Sequence, residues 1–457
     1  MMGKREAQAS AIQLVTLEEL VPSDHFLRKL DRALDLGFVP GFLRPAYPSR
    51  RGRPGVDTRL AVRMILLSYV YNLSDVRLCE EVGMHAGYRW YCRLDFHEAV
   101  PDRTTLVKFR QRCRAHGLWE ELFHRIVAQC GEVGLLSGRH LMVDSTQVAA
   151  NASIKSLREI EADLTRAADR LCAEESAPAK RDKDDDHQHT DFHGRRFSNA
   201  THRSASDPDA QLYRKGRGKE AKLSYKAHNL ADSKSRVIVA TAATRVCGGD
   251  ARDGAAALAL LDQASQRHGI TPKTVSGDTG YGTAETITGL VARGTAPHIP
   301  LLCGHPPEIP QWRRKARNLE QFRKRRDKLQ RAQALQHAWE LSRTRGYRVS
   351  RKLRHRIEHL FGEAKESHGL GRARYRGLDK VNEQVTLTAI AQNLKRLVKF
   401  LNRPPKPAQN TGAVTAKQPR RSSLSAPRAL LALPLRLWRL LTLTVQIPGA
   451  PPAPQTT

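Results

Sequence analysis

Two acidic residues that stand far apart in the chain have surroundings suited to a metal-dependent phosphoryl-transfer site. Asp144 and Asp278 each follow a short run, 140–143 and 274–277, that predicts a β-strand ending at the acid. An acid at a strand end faces the crevice at the edge of a sheet. Two such carboxylates and a third from a helix can hold two divalent ions, which activate a water or hydroxyl and stabilise the leaving oxygen.

The third acid is Glu358, within a segment, 354–365, that predicts a helix. At about 100° per residue, Arg354, Glu358 and Lys365 fall within roughly 40° of one another on that helix. Hard carboxylate oxygens suit Mg²⁺ or Mn²⁺ better than a softer metal. We therefore predict that the three carboxylates bind two Mg²⁺ or Mn²⁺ ions.

Other acids compete for these roles. Asp250 and Asp253 precede a predicted helix at 252–265, where N-capping accounts for them. Glu363 and Glu366 lie about 140° and 80° around the helix from Glu358 and so fall off its stripe. The alternative interpretation of Arg354 and Lys365 is that they form exposed ion pairs with Glu358, each of which stabilises the helix by only ~0.5 kcal/mol.

The composition predicts a polyanionic partner. The chain has 457 residues, a formal net charge of +31 and a pI near 10.3. Each phosphate neutralised by Lys or Arg steepens the salt dependence of nucleic-acid binding. The length and the long apolar stretches argue against a ribosomal or histone-like protein, and they predict two or three domains.

Cysteine usage and hydropathy predict a soluble protein of the cytoplasm that works at the nucleoid. The seven cysteines form no CxxC pair and are odd in number, so we expect free thiols rather than a disulfide or zinc framework. No secretory signal is visible at the start. The most apolar stretch, 429–447, is interrupted by Pro434, Arg436 and Arg439, which argues against a membrane span.

Residues 1–135 read as a string of short helices that form a DNA-binding domain. Ser23, Asp57, Ser74 and Asp102 stand where N-caps are expected. Basic and aromatic residues lie side by side in these helices, which suits a helix-turn-helix variant, although no recognition helix can be identified. An ordinary helical packing domain is the alternative interpretation.

Residues 136–400 predict an α/β catalytic domain with a mixed sheet flanked by helices. After the strand that ends at Asp144 we expect a charged helix over 157–161 and a polar linker over 175–209. Segments 222–230 and 236–241 predict a hairpin. A Pro-rich basic tail, 401–457, is expected to lack a fixed fold.

The segment 311–346 is predicted to be helical and is densely basic. Trp312 and Phe322 stand among its positive charges. A run of charge is usually a solvated face, but so much single-sign charge between two of the acids favours a surface that follows a DNA backbone. The residues we expect to contact DNA are Arg313, Arg314, Arg323 and Arg325, together with Arg354 and Lys365 of the third motif.

Taken together, these motifs resemble the DDE transposases of bacterial insertion sequences, which have a ribonuclease-H-like catalytic core. The resemblance runs from about residue 21 to residue 401. It rests on the segments 100–106, 143–146, 206–219 and 277–281, on Arg354, Glu358 and Lys365, and on the segments 369–378 and 392–397. One position departs: the family commonly has Tyr three residues before the Arg of its third motif, and this chain has Arg351 there.

The resemblance implies a transposase that binds the terminal inverted repeats of its element and catalyses metal-dependent DNA cleavage and strand transfer. Asp144 would bridge both metal ions, and Asp278 and Glu358 would each hold one. The implied partners are double-stranded DNA, both the inverted repeats and the target, and a second copy of the chain in a homodimer. The alternatives are a related nuclease without strand transfer and a domesticated or inactive DNA-binding protein.

Overall fold

The computed structural model describes residues 15–47, 55–160, 198–214, 216, 220–248, 253–312 and 315–403. Most of the predicted linker, the tail beyond 403, and the basic residues Arg313 and Arg314 lie outside these ranges. The predicted fold class is confirmed, since a helical N-terminal region leads into a mixed α/β region.

The N-terminal region contains only helices among its described residues. Three of the four predicted N-caps are confirmed: the side chains of Asp57, Ser74 and Asp102 each accept a hydrogen bond from a backbone amide of the first turn. The prediction for Ser23 is wrong, because His25 caps that helix through Nδ1. The helices are α1 (Leu17–Leu20), α2 (Phe26–Ala33), α3 (Val39–Leu43), α4 (Thr58–Val70), α5 (Asp75–Met84), α6 (Ala86–Cys92), α7 (Arg103–Ala115) and α8 (Leu118–Glu132).

The second region alternates strands and helices. Its strands are β1 (His140–Ala149), β2 (Leu157–Glu159), β3 (His202–Ser204), β4 (Gln211–Tyr213), β5 (Lys222–Asp232), β6 (Ile238–Thr244), β7 (Thr274–Ser276) and β8 (Ala296–His298). Its helices are α9 (Asp253–His268), α10 (Ala284–Ala292), α11 (Leu319–Ser342), α12 (Arg345–His368) and α13 (Leu378–Leu401). The predicted hairpin is confirmed as β5 and β6.

The main sheet places β1 at its centre. β1 runs antiparallel to β5 and parallel to β7, and β8 runs parallel to β7 at one edge. β4 and β6 both pair with β5 on the far side from β1. The last residue of β7, Ser276, pairs with Met142 of β1, so Asp278 and Asp144 each follow that pair by two residues.

Two local predictions are wrong. β1 does not end at Asp144 but continues to Ala149, because its residues 141–149 pair without a break with 232–224 of β5. The charged helix expected over 157–161 is instead the short strand β2, which pairs antiparallel with β3. Pairing with a distant segment outweighs the helical propensity of so short a charged run.

One hydrophobic core runs through both regions. The last helix, α13, packs against α2, α4 and α8 of the N-terminal region and against β6 of the sheet. Its residues Leu387, Ile390 and Leu394 are fully buried in a cluster that also contains Leu66 of α4 and Val239 of β6. The predicted boundary at residue 135 falls between α8 and β1, and the core is continuous across it.

Candidate active site

Asp144 lies on β1, opposite Asn229 of β5. The Ser145 amide donates a hydrogen bond to Asp144 Oδ1 (2.8 Å). Burial, and to a smaller extent the negative charges of Asp278 and Glu358, raise the pKa of the Asp144 carboxyl to about 6, although the hydrogen bond from this amide lowers it. The fold therefore brings both Asp278 and Glu358 within electrostatic range of Asp144.

Asp278 follows β7 and begins a single turn of 3₁₀ helix, Thr279–Tyr281. Its Oδ1 accepts a hydrogen bond from the Gly280 amide (2.9 Å). A Cβ on Gly282 would lie 1.9 Å from the Pro300 carbonyl oxygen, so that position admits only glycine without a shift. This close packing fixes the loop that carries Asp278.

The ring of Tyr281 packs beneath this loop. The residue is 1% exposed and belongs to the main core, so the structure places it in local packing. A Cβ on Gly277 would stand 3.3 Å from this ring and 3.2 Å from Val143 Cγ1, which shows how closely β1 and the Asp278 loop approach.

Glu358 lies on α12, as predicted from the helical pattern. Its side chain is 52% exposed and pairs with Arg354 Nη2 and His355 Nδ1, both at 3.4 Å. Arg354 also lowers the pKa of Asp144 by its positive charge, so the cation lies within reach of two of the acids. Lys365 lies about two turns farther along α12 and is half-buried.

The donor chemistry of these acids fits a hard divalent cation. Their oxygen atoms are the ligands that Mg²⁺ and Mn²⁺ prefer. A cation would also offset the burial and the nearby negative charges that raise the pKa of Asp144. In the described part of the chain, however, no group of three or more His, Cys, Asp and Glu side chains is arranged so that it could hold a metal ion. Glu358 is instead occupied by its pairs with Arg354 and His355.

A fourth carboxylate, Asp253, stands next to the acids. Its Oδ1 accepts a hydrogen bond from Ser145 Oγ (3.0 Å), and Lys226 Nζ lies 3.1 Å from both of its oxygens. The sequence interpretation of Asp253 as an N-cap missed this contact. The signal that points to it is Lys226, a cation flanked by buried residues on both sides in β5, because a lysine in such a setting requires a carboxylate partner.

The basic residues predicted to contact DNA differ in their exposure to solvent and in their contacts. Arg323 is exposed on α11. Arg325 is half-buried and stacks over the exposed ring of Trp312 with its guanidinium carbon 5.5 Å from the ring centroid. Phe322, which is close to Arg323 and Arg325 in the sequence, also has an exposed ring.

Within the described ranges, the helices are all too short or too polar to cross a membrane.

The comparison with protein families gives two matches. A transposase domain (DUF772) matches residues 15–112, and a transposase DDE domain matches residues 186–394. No solved structure matches the chain. The second match contains Asp278 and Glu358, whereas Asp144 lies between the two matched segments.

The DDE domain implies a ribonuclease-H-like fold. The observed sheet agrees with it, since three antiparallel strands, β6, β5 and β1, continue into the parallel pair β7 and β8. The two matches together with this architecture show that the chain belongs to the DDE transposases of insertion sequences.

Proposed function

We propose that this transposase binds the terminal inverted repeats of its own element, cleaves the DNA there, and joins the freed 3′ ends to target DNA. Cleavage and joining are both in-line displacements at phosphorus, so one site can perform both. The proposal is supported by the placement of the three acids: Asp278 follows β7, which pairs with β1, and α12 with Glu358 packs against β1, where both acids raise the pKa of Asp144. These acids come from β1, the β7 loop and α12, which are far apart in sequence.

The three acids share one role in the proposal. Asp144, Asp278 and Glu358 would together hold the Mg²⁺ or Mn²⁺ ions. When bound, the ions supply an activated nucleophile and stabilise the leaving oxygen. The amides of Ser145 and Gly280 hold the first two carboxylates in place before any ion binds.

The surrounding cations orient the DNA. Arg354 pairs with Glu358 in the structure, and a phosphate that approaches the site offers it a second anionic partner. Lys365 lies on the same helix and extends the contact along the backbone. The basic segment before α12 follows the DNA farther out through Arg323 and Arg325, with Arg313 and Arg314 as further proposed contacts.

We infer that the working unit is a homodimer, which acts on chromosomal DNA at the nucleoid. The reaction joins two ends of one element, and a two-fold assembly provides one site for each end.

The test uses purified protein and a duplex that ends in the element's inverted repeat. The wild-type protein should cleave this duplex in Mg²⁺ or Mn²⁺, yield joined products with a target plasmid, and do neither in EDTA. Asp144→Asn should abolish both products while binding of the duplex persists. Glu366→Gln is the matched control, since Glu366 is exposed on α12 off the Glu358 stripe and its replacement should leave cleavage intact.

The possible outcomes separate the classes of protein. Divalent-dependent cleavage without joined product identifies a nuclease and rejects strand transfer. Binding without cleavage by the wild-type protein identifies a DNA-binding protein. If Asp144→Asn cleaves as fast as the wild-type protein, the assigned site is wrong.

A further inference from the structure

Helix α7 has basic residues on two faces, one packed against other helices and one exposed to solvent. It carries five Arg or Lys residues and no acid. Two of the five pair with acids of neighbouring helices. The side chain of Arg110 is 2% exposed and its Nη1 lies 2.7 Å from both oxygens of Asp75, while Arg114 pairs with the buried carboxylate of Glu383. These charges are already neutralised and serve to fix α7 on α5 and α13.

The other face of α7 is exposed. Within the part of the chain that the structure describes, Arg103 and Lys108 have no ion pair there, and Arg112 lies over the ring of Tyr47. The exposed residues of the first two and a half turns span about 140° of the helix circumference and ~12 Å of its length. They are Arg103, Thr104, Val107, Lys108 and Gln111.

A groove runs beside this face, between α7 and the start of α5. Its volume is about 500 Å³, and its lining includes Val76, Thr104, Val107 and Lys108. Val76 and Val107 are 47% and 48% exposed, although both are apolar. The two carboxylates at this edge are engaged, because Asp75 binds Arg110 and Asp102 caps α7.

The residue types on the exposed face match those that read base edges. Arg and Lys bind the O6 and N7 atoms of guanine, Gln binds adenine, and small apolar groups contact the methyl group of thymine. The major groove admits one α-helix, and a recognition helix contacts bases with its N-terminal half. Residues 103–111 are the N-terminal part of α7. The helix is held rigidly behind them by the buried Leu106 and Phe109.

Helix α11 differs from α7 in this respect. Its basic residues are interspersed with acids that pair with them, as in Lys324 with Glu320 and Arg326 with Asp327. Such a surface suits contact with phosphates, but it lacks the acid-free mixture of polar and apolar groups found on α7.

We infer that α7 is the recognition helix of this protein, and that its exposed face lies in the major groove of the terminal inverted repeat. The inference rests on the proposed end binding, to which it adds the element and the residues that read the sequence. Arg103, Lys108 and Gln111 contact base edges, and Val107 lies against a thymine methyl group or the sugar edge.

The test measures binding alone. In an Asp144→Asn background, Arg103→Ala, Lys108→Ala and Gln111→Ala are compared on the inverted-repeat duplex and on a scrambled duplex of equal length. Lys399→Ala is the matched control, since Lys399 is an exposed cation at the end of α13. We expect at least one α7 variant to lose roughly 10-fold or more in affinity for the repeat while losing less than about 3-fold on the scrambled duplex.

A change of base preference distinguishes reading from general attraction. The affected variant should tolerate substitution at one or two base pairs of the repeat that the parent protein discriminates against. Equal losses on both duplexes, or no loss in any α7 variant, would overturn the assignment of α7. If the parent protein itself binds both duplexes equally, the proposed end binding fails instead. An unchanged thermal midpoint verifies that the variants are folded.

Discussion

The replacement Asp144→Asn should stabilise the metal-free protein while it abolishes cleavage. Burial and the charges of two neighbouring acids raise the pKa of the Asp144 carboxyl from 3.8 to about 6. A carboxyl whose pKa is raised on folding binds its proton more tightly in the folded state. Its ionisation therefore costs stability, and this cost is absent below about pH 4 and complete above about pH 6.

The size of the cost follows from the pKa. A rise from 3.8 to about 6 is equivalent to ~3 kcal/mol at neutral pH. Because the side chain is partly exposed, solvent screening reduces the expected effect to about 1–2 kcal/mol. Asparagine keeps the acceptor that the Ser145 amide uses, so the hydrogen bond at Oδ1 persists and the charge alone is removed.

The assay is denaturant unfolding of both proteins in EDTA at several pH values between 5 and 8. The Asp144→Asn protein should be the more stable one, and its advantage should grow from pH 5 to about pH 6 and then stay constant. Asp379→Asn, which removes an exposed carboxylate from α13, controls for net charge. Adding Mg²⁺ should stabilise the wild-type protein and not the variant. A variant that is less stable than the wild-type protein at every pH would refute the electrostatic argument.

Three further predictions concern one buried cation of α7 and two residues beside the site. Arg110→Met removes the cation that pairs with the largely buried carboxylate of Asp75 and should cost about 3–5 kcal/mol of unfolding free energy, which the added replacement Asp75→Asn should largely restore. Asp253→Asn keeps an acceptor for the neighbouring hydroxyl but leaves Lys226 unpaired beside the acids. Cleavage should therefore slow by roughly 10-fold or more, while binding of the repeat stays unchanged. The second replacement Lys226→Met should recover part of the lost cleavage rate. Gly282→Ala places a Cβ 1.9 Å from a carbonyl oxygen, so the Asp278 loop must shift. This shift should abolish cleavage and lower the thermal midpoint of unfolding. A variant that cleaves normally would contradict this packing argument.

Sequence patterns identified the elements of the site better than their exact ends. The 3.6-residue spacing of Arg354 and Glu358 correctly predicted a helix, and period-two alternation correctly predicted the β5–β6 hairpin. The continuation of β1 past Asp144 was missed, because it depends on pairing with a strand some eighty residues away. Local patterns carry no information about such a partner.

The same limit applies to contacts among charged residues. Asp253 looks like an ordinary cap in sequence, and its link to Ser145 and Lys226 exists only once α9 docks on β5. Likewise, five basic residues in α7 look equivalent until folding pairs the buried Arg110 and the half-buried Arg114 with acids from other helices. Which charges remain available for a ligand is thus a property of the tertiary structure.

The burial of α13 limits how this protein can be re-engineered. A fragment limited to the DDE match, 186–394, would lack α2, α4 and α8 and would leave the Leu387 and Leu394 side of that helix in water. Replacing the N-terminal helices of this chain with those of a relative would fail for the same reason, unless the residues of α13 that pack against those helices were replaced as well. Retargeting to a new DNA end should therefore begin with point changes on a surface helix, since exchanging whole modules would break the core that both halves share.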